Sequence, residues 1–527
     1  MSRFTASLRL VRAGYVLARE GVFAALPVAE AGFVPVLAQK LARLIARRGS
    51  RRQHNAEPMS RAMNRLGPFY VKLGQFLATR PDIVGQKAAR DLSALQDRVK
   101  PFAQNQAVLQ VETTLNRPID QIFDSFGAPI AAASMAQVHE AVVPAAGGRV
   151  EKRAVKVIRP HLRRAFARNM ESFYLAAHMA EKYVSYMRRL RPVKVVENLE
   201  QTTKIEMDMR LEAAALSEMA ENIAKGGDKG FRVPKVDWER TGRDCLTMEW
   251  VEGIRISERE ALLAAGHNVE QLAAALMQTF LSHALRDGFF HADMHPGNLF
   301  VDDSGTIIAV DLGITGRLGK KEKRFLAEIL YGFITRDYYR VARVHFEAGY
   351  VPDHHSVESF AQANRAIGEP IYGQSVETIS MARLLGLLFE ITELFNMQTR
   401  PELLLLQKNM VVVEGVARAL DPHFNMWKVA EPVVGAWVAQ NLGVAGAVKD
   451  MAESARAVVG FARALPELGR RFDHISKALQ RQAEHGFKLD KASLLLLAQL
   501  QARQNRFLRL ALWGIGLILL IGLAHFW

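Results

Sequence analysis

His291-Ala-Asp-Met-His-Pro-Gly-Asn298, followed by Asp311-Leu312-Gly313, sets the fold of this chain. Asp293 and Asn298 stand five positions apart, and Asp311 comes thirteen residues after Asn298. Between them run Asn298-Leu-Phe-Val301, the turn Asp302-Asp303-Ser304-Gly305 and Thr306-Ile-Ile-Ala-Val310. Two short apolar runs around an Asp/Ser/Gly turn predict a hairpin. Such a hairpin folds Asp311 back beside Asn298. A carboxylate and a carboxamide then share one side, which is what a hard divalent cation needs. Pro296-Gly297 directly after His295 predicts a loop. That counts against a zinc site built on His291 and His295 at helical spacing, and no further cluster of His, Cys and Glu completes one.

Upstream, Ala136-Gln-Val-His-Glu-Ala-Val-Val-Pro144 and Arg153-Ala-Val-Lys-Val-Ile-Arg-Pro160 flank Gly147-Gly148. They predict two strands of a second hairpin. Lys156 lies near the end of the second strand. A lysine there needs an acidic partner to stay aimed, and Glu212 on a following helix is the candidate. Ahead of the hairpin stands Ile130-Ala-Ala-Ala-Ser-Met-Ala-Gln137. Alanine methyl groups limit close backbone approach to a phosphate and remove the freedom of positive φ. Long helices are expected from His161 to about Met187 and from Val193 to about Ala224, and Leu246-Thr-Met-Glu-Trp-Val-Glu-Gly253 reads as strand. Singly these pieces are weak signals, since AVK in a strand and DLG in a turn are common. Their order is far more specific.

That order resembles the protein kinases, with their catalytic loop HRDxxxxN and metal motif DFG. The likeness implies Lys156 on the α- and β-phosphates of ATP and Asp293 on the acceptor hydroxyl. It places Mg²⁺ on Asn298 and Asp311, and the adenine hinge at Met248 to Val251, with Glu249 and Val251 in contact. Two departures stand out: there is no GxGxxG loop, and no APE follows DLG. Both match the UbiB-like atypical kinase family (the ADCK group). Lys72-Leu-Gly74-Gln75 resembles its KxGQ motif, and Ala131 to Ala133, Ser134 through Gln137 its alanine-rich loop. Glu206-Met-Asp208 resembles its ExD motif. The likeness runs from about Asn64 to Gly313 and extends to the terminal apolar segment.

This resemblance implies an α+β, protein-kinase-like fold of two lobes, a small antiparallel sheet lobe and a large helical lobe. Nucleotide contacts would come from Ile130, Ala131, Ala132, Ala133, Ser134, Met135, Ala136, Gln137 and Val138. Lys72 would lie near Glu206, with Gly74, Gln75 and Asp208 completing regulatory helices over the active site. Glu212 would be the glutamate paired with the lysine. The implied role is Mg-ATP-dependent support of ubiquinone biosynthesis at the inner membrane. Its partners would be polyprenyl-phenol intermediates and quinone-biosynthesis enzymes. The competing expectation is a nucleotide-binding scaffold without turnover. Direct hydroxylation lacks a flavin fingerprint or an iron triad. A small-molecule phosphotransferase shares the HxDxxxxN logic but not KLGQ or the apolar terminus.

Composition supports a membrane-associated reading. The 527 residues are 49% hydrophobic and carry a net charge of +15. Residues 1–66 hold twelve Lys/Arg against three Asp/Glu, and residues 463–509 hold ten against four, so the remainder is neutral overall. Basic tails suit nucleic acid or an anionic lipid surface. Leu510 to Trp527, uncharged and about 27 Å long as a helix, favours lipid over nucleic acid. Arg503, Arg506 and Arg509 before it would keep the body cytoplasmic behind a single-pass anchor. The single cysteine, Cys245, forbids an intrachain disulfide and fits a reducing compartment. The expected segments are basic amphipathic N-terminal helices (1–60), a KxGQ helical extension (61–125) and a sheet lobe with inserted helices (126–252). A helical lobe with the catalytic motifs (253–460), a basic helical linker (461–509) and a transmembrane helix (510–527) follow. The first helix reads as surface-lying, with a plain packing helix as the near-equal alternative, and Glu20 counts against a cleaved leader.

Overall fold

A computed structural model describes residues 3–22, 58–78, 86–93, 100–144, 148–183, 191–373 and 401–442, with a few isolated positions between them. The described part of the N-terminal extension is helical. It comprises α1 (Arg3–Arg19), α2 (Pro58–Leu66), α3 (Pro68–Ala78) and α4 (Gln86–Ser93). Pro58 and Pro68 occupy first positions, where the missing N–H costs nothing. Gly67, at φ +107°, separates α2 from α3 in a conformation closed to other residues. The first helix does not simply lie on a surface. Ala6, Ala13, Val16 and Ala18 are buried, while Leu8, Val11 and Tyr15 stay exposed. Arg9 donates to Ser172 Oγ at 2.9 Å, and buried Glu20 accepts from Arg65 at 2.8 Å.

The sheet lobe follows. Helix α5 (Gln104–Leu115) covers a sheet made first of β1 (Ser125–Ala132), β2 (Ala136–Pro144) and β3 (Val150–Ile158). Next come α6 (Leu162–Tyr183), α7 (Pro192–Glu206), α8 (Met209–Gly226), β4 (Phe231–Arg232) and β5 (Cys245–Glu249). The antiparallel order is β1-β2-β3-β5. Partners in register share a face, so Val138, Lys156 and Leu246 lie on one side. Gln137, Val157 and Cys245 lie on the other, where Val157 and Cys245 join Ala107 and Val111 of α5 in a small core.

Two expectations are corrected here. The alanine-rich stretch is not a free loop, because Ile130 to Ala132 continue β1 and only Ala133 to Met135 turn. The helix expected from Val193 to Ala224 breaks in two. Asp208 lies between α7 and α8 in extended conformation, and its carboxylate accepts from the Arg210 N–H.

The helical lobe begins with β6 (Ile254–Arg255), α9 (Arg259–Ala264) and α10 (Val269–Ser282), which ends in a π-turn from His283 to Asp287. Strands β7 (Phe289–His291), β8 (Leu299–Val301), β9 (Ile307–Ala309) and β10 (Thr315–Arg317) follow. Then come α11 (Lys320–Ile334), α12 (Tyr338–Glu347), α13 (Val357–Gly373), α14 (Pro401–Leu420) and α15 (Met426–Leu442). The expected hairpin is β8–β9, with the Gly305 N–H bonded to the Asp302 carbonyl in its turn. It joins β4 and β6 in the order β4-β9-β8-β6, while β7 pairs with β10. Gly316 admits the Phe290 ring, which stands 2.1 Å from where a Cβ would be. The main core runs from β3 and α8 through α10 to α14 and α15. The described residues up to Gln440 belong to one compact unit. Among the described residues no helix is long and apolar enough to cross a membrane. The linker 461–509 and the anchor expected at 510–527 lie outside the described residues.

Candidate active site

The inward face of β3 delivers Lys156 to the junction of the lobes. Its ammonium donates to Glu212 Oε1 and Oε2 at 2.8 and 3.0 Å and to Asp311 Oδ2 at 2.9 Å. Glu212 comes from the first turn of α8, which Asp208 caps. Asp311 follows β9, and its Oδ1 accepts from the Gly313 N–H at 3.0 Å. A methyl group at Gly313 would meet that same oxygen at 3.1 Å, so glycine keeps this tight turn clear. The two carboxylates differ. Glu212 is 6% exposed, whereas Asp311 is 40% exposed and open on one side.

Electrostatics sharpen the contrast. Burial pushes the Glu212 carboxyl up to about 7, against the pull of Lys156 and with the push of Asp311. Burial also acts on Asp311, but the Lys156 charge and the Gly313 N–H overcome it and hold the carboxyl well below the usual range. Burial alone would lower Lys156; the charges of Asp311 and Glu212 outweigh it and keep the amine protonated. One cation between two anions cannot fully satisfy both.

The loop from His291 to Asn298 is held by side chains rather than by a regular ladder. The Asp293 N–H donates to His291 Nδ1 at 3.2 Å, and Asn298 Nδ2 donates to the Asp293 carbonyl at 3.3 Å. His295 Nδ1 accepts from the Gly297 N–H. Each histidine therefore serves the loop's own backbone through Nδ1. The Val310 N–H donates to the Asn298 carbonyl at 3.0 Å, which places Asn298 beside Asp311. Asn409 of α14 bears no motif that marks it in the sequence. Its Nδ2 donates to the His291 carbonyl at 2.7 Å, and its Oδ1 accepts from the Met294 N–H at 2.9 Å.

The alanine-rich turn is braced from behind. The Ala133 N–H donates to the Ala136 carbonyl at 2.8 Å, and the Arg159 guanidinium donates to the Ala133 carbonyl. Ile130 and Ala131 are exposed, Ala132, Ala133 and Met135 half-buried, and Ser134 and Ala136 buried. Gln137 is not on the Lys156 face. It is buried on the opposite side, where it bonds both backbone groups of Phe102. Val138 is directly opposite Lys156 in register. Glu249 accepts from Arg232 and from the Lys235 N–H, and Val251 is half-buried just beyond β5. In the extension, Lys72 pairs with Glu206 at 2.5 Å, both largely buried. Gly74 is buried against Leu92 and Leu95, and Gln75 is half-buried.

A lysine–glutamate pair under a small antiparallel sheet, an HxDxxxxN loop and a carboxylate after a short hairpin define the protein-kinase-like class. The ABC1 atypical kinase-like domain matches residues 94–345, and the UbiB helical domain matches residues 364–425. A probable protein kinase UbiB from Marinobacter nauticus is 36% identical over 467 residues, 87% of this chain and 84% of that protein. One from Aliivibrio fischeri is 38% identical over 417 residues, 78% and 75% of the two chains. The chain belongs to the UbiB family of atypical kinases. The erythromycin complex of Rv3197 from Mycobacterium tuberculosis aligns with a TM-score of 0.46 at 22% identity, covering 72% of this chain and 96% of that one. That likeness is too loose to carry the fold.

Proposed function

We propose that this chain is a Mg-ATP-dependent enzyme that handles polyprenyl-phenol intermediates for ubiquinone biosynthesis at a membrane. The observation that carries it is Lys156 held by buried Glu212 and facing the open carboxylate of Asp311. Lys156 would neutralise the α- and β-phosphates of ATP. Asp311 has an exposed side and Asn298 stands next to it, so together they suit Mg²⁺, which prefers oxygen ligands and keeps several waters. When bound there, Mg²⁺ would supply positive charge against the negative charge that develops on the transferred phosphoryl group. Asp293 orients a hydroxyl or water toward the γ-phosphorus. The new O–P bond forms as the bond to the ADP oxygen breaks, and the attacking oxygen's proton passes to Asp293 or solvent.

The lipid side of the proposal rests on family membership and charge. The basic N-terminus, the basic 463–509 stretch and the apolar run at 510–527 would hold the body against an anionic inner-membrane surface, near quinone-biosynthesis enzymes. The test is Mg²⁺-dependent ATP hydrolysis by the full chain on anionic liposomes, with and without a phenolic quinone precursor. Activity that rises with lipid and phenol and vanishes in Asp311→Asn and Asp293→Asn is the expected result. Bound nucleotide without hydrolysis would replace the enzyme with a scaffold.

A further inference from the structure

Helix α14 belongs to the UbiB helical domain, well beyond the residues that match the kinase-like domain. It is mostly an apolar packing helix, with Leu406, Met410, Val413 and Ala417 in the core. Asn409 interrupts that pattern and is 1% exposed. A buried carboxamide is costly unless both its donor and its acceptor are used. Here both are. The donor goes to the carbonyl of His291, the last residue of β7, and the acceptor takes the N–H of Met294. These two backbone groups bracket Asp293.

We propose that Asn409 is a positioning residue for Asp293, through which the helical domain sets the geometry of the catalytic loop. The proposal rests on the turnover role assigned to Asp293 above. The segment from Ala292 to His295 has neither helix nor strand to fix it. Beside the bonds from the Ala292 N–H to the Ile314 carbonyl and from the His295 N–H to the Asp293 carbonyl, three side chains hold it: the His291 ring on the Asp293 N–H, Asn298 on the Asp293 carbonyl, and Asn409 on both flanks. Two of those belong to the loop itself. Among the described side chains that bond this segment, Asn409 is the one that comes from a distant helix. Small displacements of a reacting group carry large rate penalties, on the order of 100-fold for about 1 Å.

The side-chain chemistry is selective. Leucine, with the same branched skeleton, would leave the His291 carbonyl and the Met294 N–H without their partner. Aspartate would keep the bond from Met294 but set a carboxylate oxygen against the His291 carbonyl. Asn409→Leu and Asn409→Asp should therefore both lose activity, and Asn409→Asp should disturb Met294 less.

The experiment uses the full chain on anionic liposomes with Mg-ATP. Val413→Ala, a core truncation one turn along the same helix, is the control for plain loss of stability. The expected result is a kcat at least ~10-fold lower in both Asn409 variants, with KM for ATP within about twofold. Val413→Ala should keep kcat within about twofold even where its melting temperature falls as far. Amide hydrogen exchange should quicken in the peptide spanning residues 291–298 and stay unchanged across 307–313. A kcat loss no larger than that of Val413→Ala, or unchanged exchange at 291–298, overturns the proposal. A wild-type chain that binds nucleotide without hydrolysing it removes the turnover reading, and exchange at 291–298 then decides the positioning role alone. Should Asn409→Leu fail to fold, Asn409→Asp carries both readouts.

Discussion

Lys156 answers to two carboxylates, and the balance between them makes a residue-level prediction. Glu212 is the more buried anion and has Asp311 as a like-charged neighbour, so its carboxyl is held up, at about 7. Removing the ammonium in Lys156→Met leaves two facing carboxylates. Stripping one partner from a buried pair costs about 3–5 kcal/mol when the remaining charge cannot escape. Glu212 can escape by taking a proton, but only where protons are available. A carboxyl whose folded pKa lies above its unfolded value contributes stability below the unfolded value and loses it as pH rises through the folded one. In the wild type that loss ends near pH 7; without the ammonium it continues above 7. Melting temperatures from pH 6 to 8.5 should show the gap between Lys156→Met and wild type widening with pH. Parallel curves would mean that Glu212 does not take up the proton.

At the scale of elements, the break between α7 and α8 shows what a sequence pattern can and cannot carry. Apolar periodicity runs unbroken through Glu206-Met-Asp-Met209, with no proline or glycine to punctuate it. One helix is the natural expectation. The structure stops at Asp208 because its carboxylate caps α8, and that cap sets the phase that points Glu212 at Lys156. Asp208→Ala should cost about 1 kcal/mol of stability, and Asp208→Ser, which keeps a capping oxygen, should recover most of it in thermal melts. Equal losses in the two variants would assign Asp208 a role other than capping. The β8–β9 hairpin was legible for the opposite reason: Asp302-Asp303-Ser304-Gly305 states its turn chemistry in the sequence, and the turn fixes the register. The side of the sheet that Gln137 occupies was not legible. Period-two alternation places residues on alternate faces, but only the pairing with β3 and the cover from α5 say which face is the cleft. Asn409 left no trace either, since its partners are backbone atoms more than a hundred residues away.

Across the whole molecule, the meeting of Lys156, Glu212 and Asp311 beside the loop from His291 to Asn298 was readable because each is tied to a local pattern in a fixed order. The packing of the helical lobe was not, and it hides titrating groups that the motifs do not announce. His345 of α12 is buried against Tyr350 and Phe360, and its ring donates through Nδ1 to the Val341 carbonyl at 2.7 Å. Burial holds it down to about 4, despite that carbonyl. Burial also lowers His139 behind the sheet and His291 at the catalytic loop. A histidine held below its unfolded value of about 6.5 contributes stability above that pH and loses it as pH falls toward the folded value. All three therefore act in one direction, from elements in both lobes, as the solution becomes acidic. Glu212 acts oppositely over about pH 4.5 to 7 and is common to any variant made elsewhere. His345 can thus be isolated by comparison. Denaturant unfolding at pH 7 and pH 4.5 should show His345→Leu losing less stability on acidification than wild type, by about 2–3 kcal/mol. The variant starts lower at pH 7, because the ring's packing and its bond to Val341 are gone, so the two stability curves converge toward pH 4.5. Curves that keep a constant separation would show that His345 is already open to water, and would move the acid sensitivity to His139 and His291.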